Sequence, residues 1–268
     1  MNKKNLTFLV NKYDLFEVSF SDDSIPSLKT DEVILEIERY AFTTNNITYA
    51  VIGDTLGYWN FFPAEEPYGI VPVWGFANVI SSQNENVSEG EKFYGYFPMS
   101  KYLKVLPKKV NTHGFIDDSN HRRKLPSVYN HYLKISKNTD ESVEYHPLIK
   151  PLFLTSFLNY YFLKDEKFFE CDQIILTSAS SKTALSLAFL LSKNKLEDKK
   201  KIIGITSDKN IKFLSKIKFY DTVLSYDNAK QHLSLSIKAA LPNPWEEIRD
   251  ELDVGDTITV TVSNFESY

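Results

Sequence analysis

The residues best equipped for chemistry stand in two turns. The first is Ser178-Ala179-Ser180-Ser181-Lys182-Thr183, inside "ILTSASSKTALSLAFLLS" (Ile175–Ser192), which has the outline of a strand, a tight turn and a helix. A helix start presents unpaired N–H groups and a partial positive charge, and at the end of a parallel strand these can hold a pyrophosphate. Glycines usually bring the backbone close to such a ligand. Here small side chains keep most of the room, hydroxyls can donate to phosphate oxygens, and Lys182 adds charge. The plainer reading is that Ser180 or Ser181 caps the helix. Lys182-Thr183 also ends like a mononucleotide P-loop, but that motif needs glycine where Leu176 and Ser181 stand. The second turn is Thr206-Ser207-Asp208-Lys209-Asn210. In a dinucleotide site an acid here binds the ribose 2′-hydroxyl, whereas hydroxyls and cations accept a 2′-phosphate. Thr206, Ser207 and Lys209 point to the phosphorylated cofactor, and Asp208 points the other way. A polar helix cap accounts for the same residues.

Other chemistries find less support. The single cysteine, Cys171, forms no internal disulfide or cysteine zinc cluster and reads as a small buried residue. His113, His121, His131 and His146 lack an i,i+4 pair, so no zinc site is expected. The basic "HRRKLP" (His121–Pro126) either receives an acidic ligand or, more simply, is solvated surface. Net charge is −4, which gives no general case for nucleic acid or an anionic membrane. No stretch approaches the roughly 20 apolar residues of a membrane span. Asn11 and Lys12 end the first apolar run too early for a signal peptide. A soluble, cytoplasmic protein is expected. Aromatics reach 14%, which suits either an aromatic core or aromatic-lined clefts.

The elements that must position the two turns fall into halves. Glu32–Phe42, Val71–Ile80 and Glu91–Pro107 read as strands, with a polar turn over Ser81–Glu91, and suggest a barrel or small sandwich. Ile135–Pro147 reads as a connecting loop. A helix is expected from about Thr155 to Glu166, because Pro151 fits poorly inside an earlier turn. Then come buried strands at Gln173–Ser178 and Lys200–Ser207, helices at Lys182–Asn194 and Asn210–Phe219, and a strand at Asp221–Tyr226. This alternation is half of a doubly wound parallel sheet.

A β-rich first half followed by βαβαβ resembles the medium-chain dehydrogenase/reductase superfamily. More closely, the chain resembles DUF2855-type bacterial proteins through Tyr40–Asp54, Gly69–Ile80, Glu91–Val105, Gly114–Tyr132 and Thr177–Phe189, over residues 1 to about 228. The resemblance implies an α/β chain: a GroES-like β-rich substrate domain (1–147), a partial Rossmann cofactor domain (148–226), and NADP as cofactor. It implies no substrate; the function expected first is a metal-free reductase that would move hydride to a small quinone, enone or carbonyl. "TTNNITYA" stands where quinone-reductase-like members carry an Asn-containing active-site motif, so Asn45 and Asn46 would face nicotinamide and substrate. Tyr49 would be the proton donor, or simply an aromatic packed on a helix face. Thr155 and Ser156 match the place where relatives meet the nicotinamide side.

After Tyr226-Asp227 this likeness fades. Residues 227–268 resemble the end of one ribosomal S1-type repeat, a linker and the first strand of the next. Leu233, Leu235 and Ile237, then Ile258, Val260 and Val262, alternate with polar residues, as half-exposed barrel strands do. Eight acids against three bases make this tail repel phosphates, so nucleic-acid binding is not expected. A fusion, a frameshift or a chimera would each explain the join. The alternatives to a reductase are thus an RNA-binding S1 fragment or a noncatalytic fusion whose exposed sheet edge invites a homodimer.

Overall fold

The computed structural model describes residues 4–136 and 144–226. The S1-like strands of the tail lie outside these residues. β1 (Lys4–Asn11) pairs with β2 (Val18–Ser24) on one side and the short β4 (Tyr68–Gly69) on the other. The larger antiparallel sheet contains β3 (Val33–Ala41), β5 (Pro72–Ser82), β6 (Lys92–Pro98), β7 (Tyr102–Val105), β8 (Pro107–Asn111), β9 (Gly114–Asp117) and β10 (His131–Ile135). Its order is β7-β3-β5-β6-β10-β9-β8. The expected strand over Glu91–Pro107 is therefore broken: Met99–Lys101 turn the chain, and β6 and β7 take separate neighbours.

The sheet curls, and two causes are visible. Register shifts between β3 and β5, after Ile34 and around Arg39, add local twist. Gly75 and Gly95 stand opposite each other on β5 and β6. A Cβ on Gly75 would fall 2.4 Å from the Arg39 carbonyl oxygen, and one on Gly95 would fall 2.4 Å from the Tyr132 ring. Only glycine permits that approach. The concave side buries Val33, Leu35, Val73, Val79, Phe93, Phe97, Phe115 and Tyr132.

The second half is a parallel sheet in the order β11-β12-β13, built from β11 (Gln173–Leu176), β12 (Lys201–Ser207) and β13 (Thr222–Tyr226). α3 (Lys182–Lys193) and the short α4 (Lys195–Asp198) connect the first two strands, and α5 (Asp208–Ile217) connects the last two. Central β12 is the most apolar strand, as one packed on both faces must be. At Gly204 the Tyr220 ring lies against the strand, and its hydroxyl donates to the Ala179 carbonyl at 2.7 Å.

Between the halves runs α2 (His146–Asp165), which packs on α3 and reaches back to β3 and β5. It starts nine residues before the expected Thr155. Pro147 sits in the first turn, where its missing N–H has no helical partner to lose. Pro151 then removes a single early bond, and packing against α3 carries the helix through it. Two further expectations fail. Cys171 is exposed, because it precedes β11 at the edge of the small sheet. Arg122, in the supposedly solvated "HRRKLP", is fully buried. Its guanidinium lies over Phe61 and Phe62, donates to Asn130 Oδ1 at 2.8 Å and donates to the Tyr129 carbonyl at 2.6 Å.

Candidate functional site

α1 (Thr44–Val51) begins with a capping box: Thr43 Oγ1 accepts from the Asn45 amide, and Asn46 Oδ1 accepts from the Thr43 amide at 2.7 Å. The Asn46 amide group then donates to the Pro72 carbonyl at 2.9 Å. Both ends of this buried side chain are occupied. Asn46 fixes α1 on β5 and does not face a ligand, which corrects the expectation for it. Asn45 and Tyr49, on the next positions of the same helix, do face outward into a cavity.

That cavity measures about 700 Å³ and lies between α1, the face of the large sheet opposite the one that buries Val73 and Phe93, residues 127–131 and the start of α2. Its walls include Asn45, Tyr49, Tyr58, Trp74, Tyr94, Tyr129, Lys150 and Thr155. The aromatic rings support one another. Tyr49 and Tyr58 lie 4.5 Å apart, Trp74 stacks on Tyr94 at 5.6 Å, and the Tyr58 and Tyr129 hydroxyls are 3.3 Å apart. Tyr49 is 5% exposed. Burial pushes its pKa up, and the neighbouring Trp74, Asn45 and Tyr96 groups pull it back only in part. The phenol therefore keeps its proton at neutral pH. Burial likewise raises Tyr94 and Tyr129. Lys150 lies 5.0 Å from the Tyr94 ring centre, and burial lowers its pKa.

The turn before α3 is more closed than its small residues suggest. Ser178 holds φ at 47°, in the left-handed region that favours glycine. The Ala179 amide is bonded to the Ile205 carbonyl at 3.0 Å, and the Ser181 amide to Ser178 at 2.8 Å. Ala179 is fully buried, so its side chain touches no ligand. Ser180 Oγ accepts from Asn210 at 2.9 Å and from Thr206 at 3.3 Å, which commits both Ser180 and buried Thr206 to the protein. Ser181 Oγ caps the Ala184 amide. Among the described residues, the amides of Ser178, Ser180, Lys182 and Thr183 have no acceptor, and those of Lys182 and Thr183 form the start of the helix. Ser178, Ser181 and Lys182 are exposed beside them. At the second turn Lys209 is exposed, Ser207 is half-buried, and Asp208 is bonded to Ser225 on β13.

None of the turn residues lines the cavity. The two places are joined through Ser156, fully buried next to Thr155, whose hydroxyl lies 2.8 Å from the Thr183 carbonyl and 3.1 Å from that of Leu152. Sequence reasoning missed Trp74, Tyr94, Tyr129 and Lys150. The aromatic fraction was the only signal, and it names no residue.

The sequence profile of a family described as proteins of unknown function (DUF2855) matches residues 40–242. The chain belongs to this family. The match continues past Asp227, where the likeness read from residues alone fades, and begins at Tyr40 rather than at the first residue. Solved structures that superpose on this DUF2855 chain include CurA from Vibrio vulnificus, with TM-score 0.56 and 13% identity over 84% of this chain and 59% of that one. Human synaptic vesicle membrane protein VAT-1 homolog-like protein gives 0.53 and 9%, over 84% and 62%. A putative NADPH:quinone reductase from Bacillus thuringiensis gives 0.50 and 11%, over 88% and 62%. At such identities the likeness is one of fold: a curled antiparallel sheet followed by a parallel sheet. The chain spans about three fifths of the length of each. Small ribosomal subunit protein bS1 from Helicobacter pylori (strain J99) is 53% identical over 49 residues, which are 18% of this chain and 9% of that protein. No described helix is long and apolar enough to cross a membrane.

Proposed function

We propose that the chain carries the substrate cavity and part of the nucleotide site of an NADPH-dependent reductase for small quinones, enones or carbonyls. The observation that supports this best is the cavity itself. It holds a protonated phenol, Tyr49, at the end of a helix fixed by its own cap, and it is joined through Ser156 to a helix start with two open amides. The fold is also shared with a putative NADPH:quinone reductase from Bacillus thuringiensis.

The residues fit a dinucleotide in part. The Lys182 and Thr183 amides, with the Lys182 side chain, would hold the diphosphate. Ser207 and Lys209 would meet a 2′-phosphate, while exposed Asp208 accepts from Ser225 on one of its oxygens. When bound, NADPH supplies a hydride. The chain's own share is to place Asn45 and Thr155 beside the reacting ring, to exclude water with Tyr58, Trp74 and Tyr129, and to offer the Tyr49 proton to the substrate oxygen. No metal ligand is called for in this reading.

Trp74 stands in the cavity wall, so nucleotide binding is read directly by tryptophan fluorescence. NADPH should quench it at lower concentration than NADH. Lys209→Glu should weaken NADPH by roughly tenfold, the worth of one well-placed phosphate contact, and leave NADH nearly unchanged. Silence toward both nucleotides would rule the reading out. A second reading, an RNA-binding S1 fragment, draws on the 49-residue likeness to bS1. It requires salt-sensitive binding of single-stranded RNA, against a tail of eight acids and three bases.

A further inference from the structure

The cavity wall is one-sided in charge. Lys150 reaches it, and among the described residues no Asp or Glu lines it. Among the described residues Lys150 forms no ion pair, whereas Lys92, Lys104, Lys134 and Lys164 each have a carboxylate within 2.9 Å. His131 also lines the wall. The Tyr94 hydroxyl is buried there without a hydrogen-bond partner among the described residues and can donate to an acceptor on a ligand. A half-buried cation with no counter-charge is costly unless a ligand supplies one. The remaining surface is aromatic and aliphatic. Trp74, Tyr94 and Tyr129 present rings, and the stacked Trp74–Tyr94 pair runs directly to the Lys150 ammonium, 5.0 Å over Tyr94.

We infer that the cavity selects a flat aromatic compound bearing an acidic group, a carboxylate or phenolate, with its ring among Trp74, Tyr94 and Tyr129 and its anion on Lys150 Nζ. As a substrate class this rests on the reductase reading; as a binding site it does not. About 700 Å³ holds one or two fused rings beside a second small group. Lys150 is a specificity residue in this arrangement, set apart from the Tyr49 proton by its place on α2 rather than α1.

The test is calorimetric titration of the full chain, without nucleotide, with 2-naphthoate and with its neutral isostere 2-naphthamide. Naphthoate should bind about tenfold tighter or more, as a hydrogen bond to a charged group provides. Lys150→Met should bring naphthoate down to the amide's affinity, and Lys150→Arg should keep the preference. Equal affinity of the two compounds for the unaltered chain, or no binding of either, would overturn the inference. So would a preference that survives Lys150→Met, or naphthoate binding abolished by NADPH, which would give the cation to the nucleotide. A naphthoate preference with no response to NADPH would leave the site standing and remove the reductase.

Discussion

Replacing Ser156 by alanine isolates the bond that holds the cavity helix to the nucleotide helix. The hydroxyl has one hydrogen and two acceptors, the Leu152 carbonyl at 3.1 Å and the Thr183 carbonyl at 2.8 Å. Only one bond is lost at a time, so the two contacts do not add. Both carbonyls sit inside helices, where each is offered an amide four residues on. Neither is orphaned by the change. The cost is therefore the net worth of one buried bond, about 1 kcal/mol, and not the larger penalty of an unsatisfied group. For a chain of this size that lowers the melting temperature by about 2–4 °C. Urea unfolding should give an earlier midpoint at an unchanged slope. Ser156→Thr should cost more, about 1–3 kcal/mol, because its methyl enters a site with no free surface. An alanine variant as stable as the parent would show that α2 and α3 are held by packing alone. A loss above about 3 kcal/mol would mean that the helix start itself collapses, and the account of Thr183 would be wrong.

Tyr49→Phe separates chemistry from stability. The phenol is held by the neighbouring Trp74, Asn45 and Tyr96 groups, so unfolding should shift by about 1 kcal/mol, the net worth of one hydrogen bond, while NADPH-driven turnover of a responsive quinone falls about 10²- to 10⁴-fold. Turnover kept by the phenylalanine variant would remove Tyr49 as the proton donor. Acid should destabilise the fold through His146, whose pKa is lowered by burial and by the Lys150 charge. The folded chain resists protonating it while the unfolded chain accepts a proton from its ordinary value of 6.5 downward. The stability is thus present above that pH and lost as pH falls through the lower folded value. His146→Asn should flatten the drop in urea midpoint between about pH 7.5 and about pH 5.5; an undiminished drop assigns it elsewhere.

β3, β5, the parallel strands and the helices α3 and α5 were legible because burial writes itself into sequence as a period of two or of 3.6, or as an apolar run. By contrast, β1, β2, β8, β9 and β10 were not singled out, and β11, expected buried, is half exposed at the sheet edge. β12 was the clearest, an apolar run that nothing but a covered parallel strand needs. The cavity was not legible. Its rings come from Tyr49, Tyr58, Trp74, Tyr94 and Tyr129, spread over five separate elements, and the pairing of β5 with β6 and the seating of α1 and residues 127–130 on that sheet bring them to one place. Arg122 was misread for a related reason: its shelter is Phe61 and Phe62, far back in the chain. Local rules also misled where packing outweighed them. Pro151 argues for a late helix start, but the cost of one missing bond is smaller than the gain of seating α2 on α3. Asn46 looked like a ligand group because capping and catalysis recruit the same side chain.

The turn before α3 shows what hydroxylated residues can and cannot do in place of glycine. A glycine gives two things: a left-handed backbone without strain and an amide that a ligand can approach. Ser178 supplies the first at a cost of about 1–2 kcal/mol, held by the Ser181 amide and by Tyr220 on the Ala179 carbonyl. The second is withheld at two positions. Ala179 gives its amide to β12 and Ser181 gives its amide to Ser178, while Ser180 Oγ accepts from Asn210 and Thr206. These bonds brace the corner, and the amides at the first turn of α3 are left to meet an anion. On the proposed reading, the nucleotide is held there by two amides and the charge of Lys182. Affinity so built depends on charge more than on fit, so NADPH binding should weaken steeply as salt rises. Binding indifferent to salt would mean that the amides, and not the Lys182 charge, carry the diphosphate.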